Sequence, residues 1–177
     1  MATIDELDVE ILARLTENAR VGVAELAAEL GVSRTTVNLR LKRLEEDGVL
    51  LGFRPVIDLA QVGLGVRASL SIEIDQRRMA QVLSELSAIP EVLEVVIRAG
   101  REDLLAHVAI GSLEELQALT DRIVQHPGVR RTTSTFTVAT PVPHRVIPIL
   151  TKLVEGRGWG RSTPSPTLEV TSPRPGR

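Results

Sequence analysis

The sequence predicts an α+β protein in two parts, a small helical bundle over residues 1–57 followed by a domain of alternating strands and helices from residue 66. Three observations carry that expectation. Residues 23–44, VAELAAELGVSRTTVNLRLKRL, set two short helical periods on either side of a glycine. At Val66 the apolar period changes from helical to two, and a helix-turn-strand pattern recurs 37 residues after its first appearance.

In the first part, Thr3-Ile4-Asp5-Glu6 reads as a capping box that opens a helix with Leu7, Ile11, Leu12 and Leu15 on one side, ended by Asn18-Ala19-Arg20. A second helix buries Val23, Leu26, Ala27 and Leu30. Gly31 then closes it in the left-handed conformation, Val32 fills the corner, and Ser33 serves as N-cap of a third helix. That third helix turns Val37, Leu41 and Leu44 inward, with Val49 just beyond it, and points Arg34, Thr35, Thr36, Asn38, Leu39 and Lys42 outward. Two short helices meeting at a three-residue corner form a helix-turn-helix.

The outer surface of the third helix carries the chemistry. Ser33 to Arg43 holds Arg34, Arg40, Lys42 and Arg43 and no acid, although residues 1–57 together hold seven basic and ten acidic residues. Arginine meets guanine edges with two bonds, asparagine pairs with adenine, and threonine methyls touch thymine, so this mixture suits a helix that reads the major groove. A solvated amphipathic helix is the plainer alternative, and the Gly31 corner with its Ser33 cap favours the groove-reading one. The expected double-stranded DNA contacts are Ser33, Arg34, Thr35, Thr36, Asn38, Leu39, Arg40, Lys42 and Arg43, with Lys42 and Arg43 on phosphates.

Composition bounds the rest. The chain has 177 residues, 43% of them apolar, and no cysteine, which removes disulfides and thiolate metal sites together. With no apolar run of membrane-spanning length and no signal-peptide pattern, the expectation is a soluble cytoplasmic protein that contacts no membrane. A formal net charge of −2 denies it a global basic field, so DNA binding depends on a local patch doubled by dimerisation. His107, His126 and His144 are scattered without metal-ligand spacing; His107 reads as a strand residue at an interface, the others as surface residues, and neither metal nor cofactor is expected.

Residues 49–57 read as a wing or exit strand interrupted by Pro55, and residues 58–65 as a hinge. The second domain is expected over residues 66–154. A strand alternates through Val66, Ala68, Leu70, Ile72 and Ile74. A helix from about Gln76 to Ser87 follows, then a strand from Val92 to Ala99. Met79, Val82, Leu86, Pro90 and Val92 recur as Leu116, Leu119, Ile123, Pro127 and Val129, and Ser112 with Glu115 caps the second helix. Two such units make a ferredoxin-like βαββαβ fold, an antiparallel four-stranded sheet with both helices on one face. The open face, expected to carry Leu93, Val95, Ile97 and Leu105, calls for a second subunit. Residues 155–177, rich in proline and glycine, are expected to be a disordered tail containing the only tryptophan, Trp159.

Over about residues 4–150 the chain resembles the Lrp/AsnC regulators, the leucine-responsive and asparagine-synthesis family. The resemblance lies in Ile4-Asp5 with Leu7-Asp8 and Ile11-Leu12, in Asn18-Ala19-Arg20, Glu25-Leu26-Ala27 and Gly31-Val32-Ser33, and in Arg40, Arg43-Leu44-Glu45 and Gly48. It continues through Leu51-Gly52-Phe53, Gly63, the Gly100-x-x-Asp103 turn, and Gly128-Val129 with Thr132 and Ser134. It implies a transcription regulator rather than an enzyme, with a DNA-binding helix-turn-helix, an effector domain that senses an amino acid, and dimers that associate into octamers. The turn departs from the family pattern in reading Gly-Arg-Glu-Asp, where a small or aromatic residue commonly precedes the aspartate.

Gly100 and Asp103 admit two readings. One is a tight β-turn, for which glycine and aspartate are the usual residues. The other is an effector site between subunits, in which Gly100, Arg101 and Asp103 hold the charged ends of a zwitterion while Thr132 and Ser134 add hydroxyls. Two other functions remain beside a regulator: an enzyme resembling the sirohaem decarboxylases, which are similar across both domains, and an architectural DNA-binding protein with no effector.

Overall fold

The computed structural model describes residues 2–160. The chain divides into two compact units, Met1–Pro55 with His144–Arg177, and Val56–Pro143.

In the first unit, α1 (Glu6–Glu17), α2 (Val23–Glu29) and α3 (Arg34–Glu46) form the expected bundle. The capping box lies two residues further along than the sequence suggested. Asp5 is the N-cap and accepts from the Asp8 amide at 3.1 Å, while the Asp8 carboxylate accepts from the Asp5 amide at 2.9 Å. The shift has a physical reason. With Asp5 as cap, Ile4 stands just outside the helix and is buried in the same apolar cluster as Val9 of the first turn, a hydrophobic staple that a cap at Thr3 would break.

The corner between α2 and α3 forms as expected. Gly31 has φ 65°, the Val32 amide donates to the Ala27 carbonyl and the Gly31 amide to the Ala28 carbonyl, so α2 ends in a Schellman motif. Ser33 then accepts from the Thr36 amide at 3.0 Å. Val37 and Leu44 anchor α3 with no more than 1% of their surface exposed, and each such burial contributes about 1.5–3 kcal/mol.

Two expectations about the flanks are corrected. Residues 51–58 form no strand; Leu51, Phe53, Val56 and Ile57 are exposed, because no neighbouring strand among the described residues is placed to pair with them. The segment after residue 143 belongs to the first unit, not to the sheet domain. There α6 (Ile147–Val154) packs on α1 and buries Val154 beside Ile4, Val9 and Leu44. Trp159, assigned to a disordered tail, enters the core with Leu7, Ile11, Leu26 and Val37. The Glu6 amide donates to the Gly158 carbonyl and the Gly156 amide to the Glu6 carboxylate, so hydrogen bonds as well as the indole hold this segment. The remainder of the expected tail, residues 161–177, lies outside the described residues.

The second unit runs β1 (Val66–Ile74), α4 (Met79–Ser87), β2 (Val92–Ile97), β3 (Leu104–Ile110), α5 (Leu113–Val124) and β4 (Val129–Phe136). All pairings are antiparallel in the order β2-β3-β1-β4, the ferredoxin-like arrangement. Leu70, Ile72, Leu104 and Val108 of the sheet pack against Val82, Leu86, Leu116, Leu119 and Ile123 of α4 and α5.

The open face differs from expectation. A bulge between Val92 and Glu94 shifts β2 by one residue, and such a slip exchanges the faces of every later side chain. Val95 pairs with Ala106 and Ile97 with Leu104, partners buried under the helices, so both lie on the helix side. Leu105 stays on the open face beside Val96, amid Ser69, Ser71, Glu73, His107, Arg131, Thr133 and Thr135. That surface is mainly polar.

Trp159→Ala is expected to lower the unfolding free energy by about 3–5 kcal/mol, the ordinary loss for a truncated core aromatic. A guanidinium titration followed by circular dichroism measures it. A change below about 0.5 kcal/mol, typical of a surface substitution, would show that the indole does not belong to the core.

Candidate nucleic-acid interface and effector loop

The start of α3 presents Arg34, Thr35, Asn38 and Leu39 to solvent, and Leu39 is 64% exposed. Thr36 is half-buried, its hydroxyl 2.8 Å from that of Ser33, so this pair secures the cap. Lys42 lies one turn further on, 3.6 Å from Glu46. An exposed pair at this helical spacing contributes only about 0.3–0.5 kcal/mol, so Lys42 is available to a phosphate at little cost.

Arg40 is the correction among the expected DNA contacts. Its side chain is 12% exposed and turned inward: Nη1 donates to the Asp5 carboxylate and, at 3.1 Å, to Asp8 Oδ1, while Nη2 donates to the Trp159 carbonyl at 3.0 Å. Arg43 divides its role, with Nη2 on Asp8 Oδ2 and the side chain still 41% exposed. Asp8 itself has no accessible surface. Burial holds its carboxyl above the ordinary aspartate value, against the Asp5 amide, which lowers it; the Asp5 charge adds to the rise, and Arg40 opposes it. Burial works against the Arg40 charge too, yet its bonds to Asp5 and Asp8 leave its pKa raised.

The sequence reading missed Asp5, Asp8 and Trp159 as supports of the reading helix. A signal was present. Asp5 and Asp8 stand three apart on α1, Arg40 and Arg43 three apart on α3, and on a helix that spacing places both members of each pair on one face.

In the second unit, Gly100 and Arg101 sit in the loop joining β2 to β3. Asp103 behaves as a turn residue: Oδ2 accepts from the Ile74 amide at 2.8 Å, Oδ1 accepts from Gln76 Nε2, and its amide donates to the Ile72 carbonyl at 3.0 Å. Both carboxylate oxygens are therefore engaged within the chain. Gly100 is different, since its φ is not left-handed and a Cβ there would meet nothing within 4 Å. Local conformation does not require glycine at that position. Arg101 is exposed, 3.9 Å from Glu73.

Thr132 and Ser134 do not join this loop within one chain. Sheet order places β1 between β3 and β4, so Thr132 flanks Ile72 on the side opposite Asp103, with two strand spacings, about 10 Å, between them. Both side chains lie on the helix side. Ser134 is 2.9 Å from the Thr120 hydroxyl of α5, and Thr132 Oγ1 is buried without a partner among the described residues.

Of the histidines, His107 lies on the open sheet face with Nδ1 3.1 Å from the Ser69 hydroxyl, and His144 is exposed. His126, expected at the surface, has a side chain only 9% exposed, because it turns in between α4 and α5. Among the described residues no cluster of metal-ligating side chains occurs, and no helix is long and apolar enough to cross a membrane.

Arg40→Ala is expected to lower stability by about 3–5 kcal/mol, because it strands a buried carboxylate. Arg34→Ala should stay within about 0.5 kcal/mol of the parent. Denaturant midpoints compare the two, and equal values would contradict the division between supporting and reading arginines.

Residues 4–50 match the family model for a winged helix-turn-helix DNA-binding domain, and residues 67–147 the Lrp/AsnC ligand binding domain. The HTH-type transcriptional regulator AldR of Mycolicibacterium smegmatis is 35% identical over 117 residues, spanning 64% of this chain and 68% of that one. An uncharacterized HTH-type transcriptional regulator of Pyrococcus horikoshii is 33% identical over 144 residues, 77% of this chain and 94% of its own. Among solved structures, Escherichia coli AsnC superposes with TM-score 0.75 at 28% identity, covering 83% of this chain and all of that one. A Neisseria meningitidis transcriptional regulator in complex with L-Met gives 0.72 at 26% identity, over 80% and 94% of the two chains. These relatives are regulators rather than enzymes, which removes the decarboxylase alternative. With a DNA-binding module and a ligand-binding module in the family's order, the chain belongs to the Lrp/AsnC family of transcriptional regulators.

Proposed function

We propose that this regulator binds specific DNA sequences as a dimer or higher assembly, and that a small amino acid alters that assembly and its hold on DNA. The observation that carries the DNA half is the start of α3, where Arg34, Thr35 and Asn38 stand exposed on a helix fixed from behind by buried Val37 and Leu44. Ser33, Thr36 and Leu39 complete the groove-facing turn, and Lys42 and the exposed part of Arg43 meet phosphates. One such face is small, and the chain is net negative. Two copies of α3, facing half-sites about one DNA turn or a multiple apart, supply what one lacks. Exposed Leu51, Phe53, Val56 and Ile57 offer apolar surface for that pairing.

Sensing is supported by the ligand binding domain, by the L-Met held by the Neisseria meningitidis regulator, and by Gly100, whose open surroundings leave room for a partner or ligand from outside the chain. Arg101 is the free charge of that loop. Asp103 orders it, and Thr132 and Ser134 support the sheet behind it.

In retardation assays at fixed salt, Arg34→Ala and Asn38→Ala should each cost about 1–3 kcal/mol on the best site and relax base preference, whereas Lys42→Ala should weaken all sequences alike and lower the salt slope by about one. Equal loss of preference in all three would overturn this division of roles, and a parent protein with no preference at all would mark an architectural DNA binder. The effective amino acid should shift DNA affinity by about 1–3 kcal/mol. If none of the twenty changes either DNA affinity or sedimentation, the sensing half fails.

A further inference from the structure

A cleft of about 250 Å³ opens between α4 and α5 in the sheet domain. Val82, Leu86, Ile89, Ile123 and Val129 give it apolar walls, and Glu85, Arg122 and His126 stand at its polar side. Its volume falls below the about 300–1,000 Å³ of sites for drug-sized molecules, so only a small ligand fits.

The histidine is oriented by its surroundings. His126 Nδ1 accepts from the Gly128 amide at 2.8 Å, so the proton of the neutral ring sits on Nε2. The ring is held tightly. A Cβ on Gly128 would lie 3.1 Å from His126 Cε1 and 2.9 Å from Val82 Cγ2, so glycine is what allows the chain to pass this close. Nε2 lies 3.0 Å from Glu85 Oε1 yet makes no well-directed hydrogen bond among the described residues, although the side chain is 9% exposed. A buried donor left in that state costs about 1–3 kcal/mol unless something in the cleft accepts from it.

Arg122 adds a second donor. It is 58% exposed and only loosely paired, at 3.6 Å from Glu91. Glu85, 55% exposed, supplies an acceptor on the same side. Donors beside an acceptor, above an apolar floor, complement a zwitterion with a hydrocarbon side chain.

We infer that the α4–α5 cleft binds a small apolar α-amino acid, with its carboxylate on His126 Nε2 and Arg122, its ammonium on Glu85 and its side chain between Val82 and Ile123. The site is separate from the Gly100–Asp103 loop. Binding here does not depend on the sensing role proposed above, and only a link from this cleft to DNA would.

The full chain titrated calorimetrically with L-leucine, L-isoleucine, L-methionine and L-phenylalanine tests the assignment. At least one is expected to bind with a dissociation constant below about 10 mM. Glu85→Gln should weaken it about tenfold, and removing the ammonium by using 4-methylpentanoate in place of L-leucine should weaken it comparably, with little further loss in the variant. Ala88→Phe, which fills the cleft from its rim, should abolish binding while circular dichroism stays native. Labelled-methyl NMR should place the shifts at Ile89 and Ile123. Absence of binding by all four amino acids, undiminished binding in both variants, or shifts confined to the Gly100–Asp103 loop would each overturn the site. The loop outcome would leave amino-acid sensing standing. Binding in the cleft without any change in DNA affinity would establish the site and remove its regulatory link.

Discussion

A carboxylate with no accessible surface, Asp8, lies between two arginines of the reading helix, and the orientation of that helix depends on it. Apolar contacts are nearly indifferent to direction, so Val37 and Leu44 alone would hold α3 against the bundle without fixing its rotation. Hydrogen-bonded charges are directional. With Arg40 on Asp5 and Asp8, and Arg43 on Asp8, rotation of α3 about its own axis would leave buried charge unpaired at a cost of several kcal/mol. Asp5 serves twice, capping α1 and accepting from Arg40, so the start of the first helix and the pose of the third are set by one side chain. What faces DNA follows from what is committed inward.

The parts of this architecture that rest on local chemistry were legible in the sequence. The Gly31 corner, the Ser33 cap and the period-two alternation of β1 each depend on a few adjacent residues, and all are found where the pattern placed them. The order of elements gave the ferredoxin-like topology by the same reasoning. The errors fall where distant segments decide. A basic residue on an amphipathic helix carries no mark of whether a partner acid awaits it inside, so Arg40 read as a DNA contact although its spacing matched Asp5 and Asp8. The bulge at Val92–Glu94 is a register decision made between strands, and it moved Val95 and Ile97 to the other face. Composition labelled residues 155–160 disordered because glycine and proline surround Trp159, yet one indole with a complementary pocket outweighs that average.

The candidate effector loop was half legible for the same reason. Asp103 was correctly singled out, but its neighbours were chosen by order along the chain, whereas sheet order separates β3 from β4 by the full width of β1. The polar character of the open face also changes what a partner would meet there. Ser69, Ser71, Thr133 and Thr135 favour a hydrated contact with many small hydrogen bonds, while exposed hydrocarbon is found in the segment around Phe53.

The docking of Trp159 ties the DNA-reading module to the timing of synthesis. The residue lies beyond both stretches that match the family models, and its carbonyl is bound by Arg40 across 119 positions of sequence. At a ribosomal rate of about 5–20 residues per second, a gap of 119 residues takes roughly 6–24 s to make. Throughout that interval α1, α2 and α3 have left the ribosome, but the third helix lacks one of its anchors and the core an aromatic ring. The module at the front of the chain is thus completed last, after the sheet domain between has been made. A nascent or prematurely terminated chain carries a loosened reading helix, and firm engagement of DNA is reserved for polypeptides translated at least through Trp159.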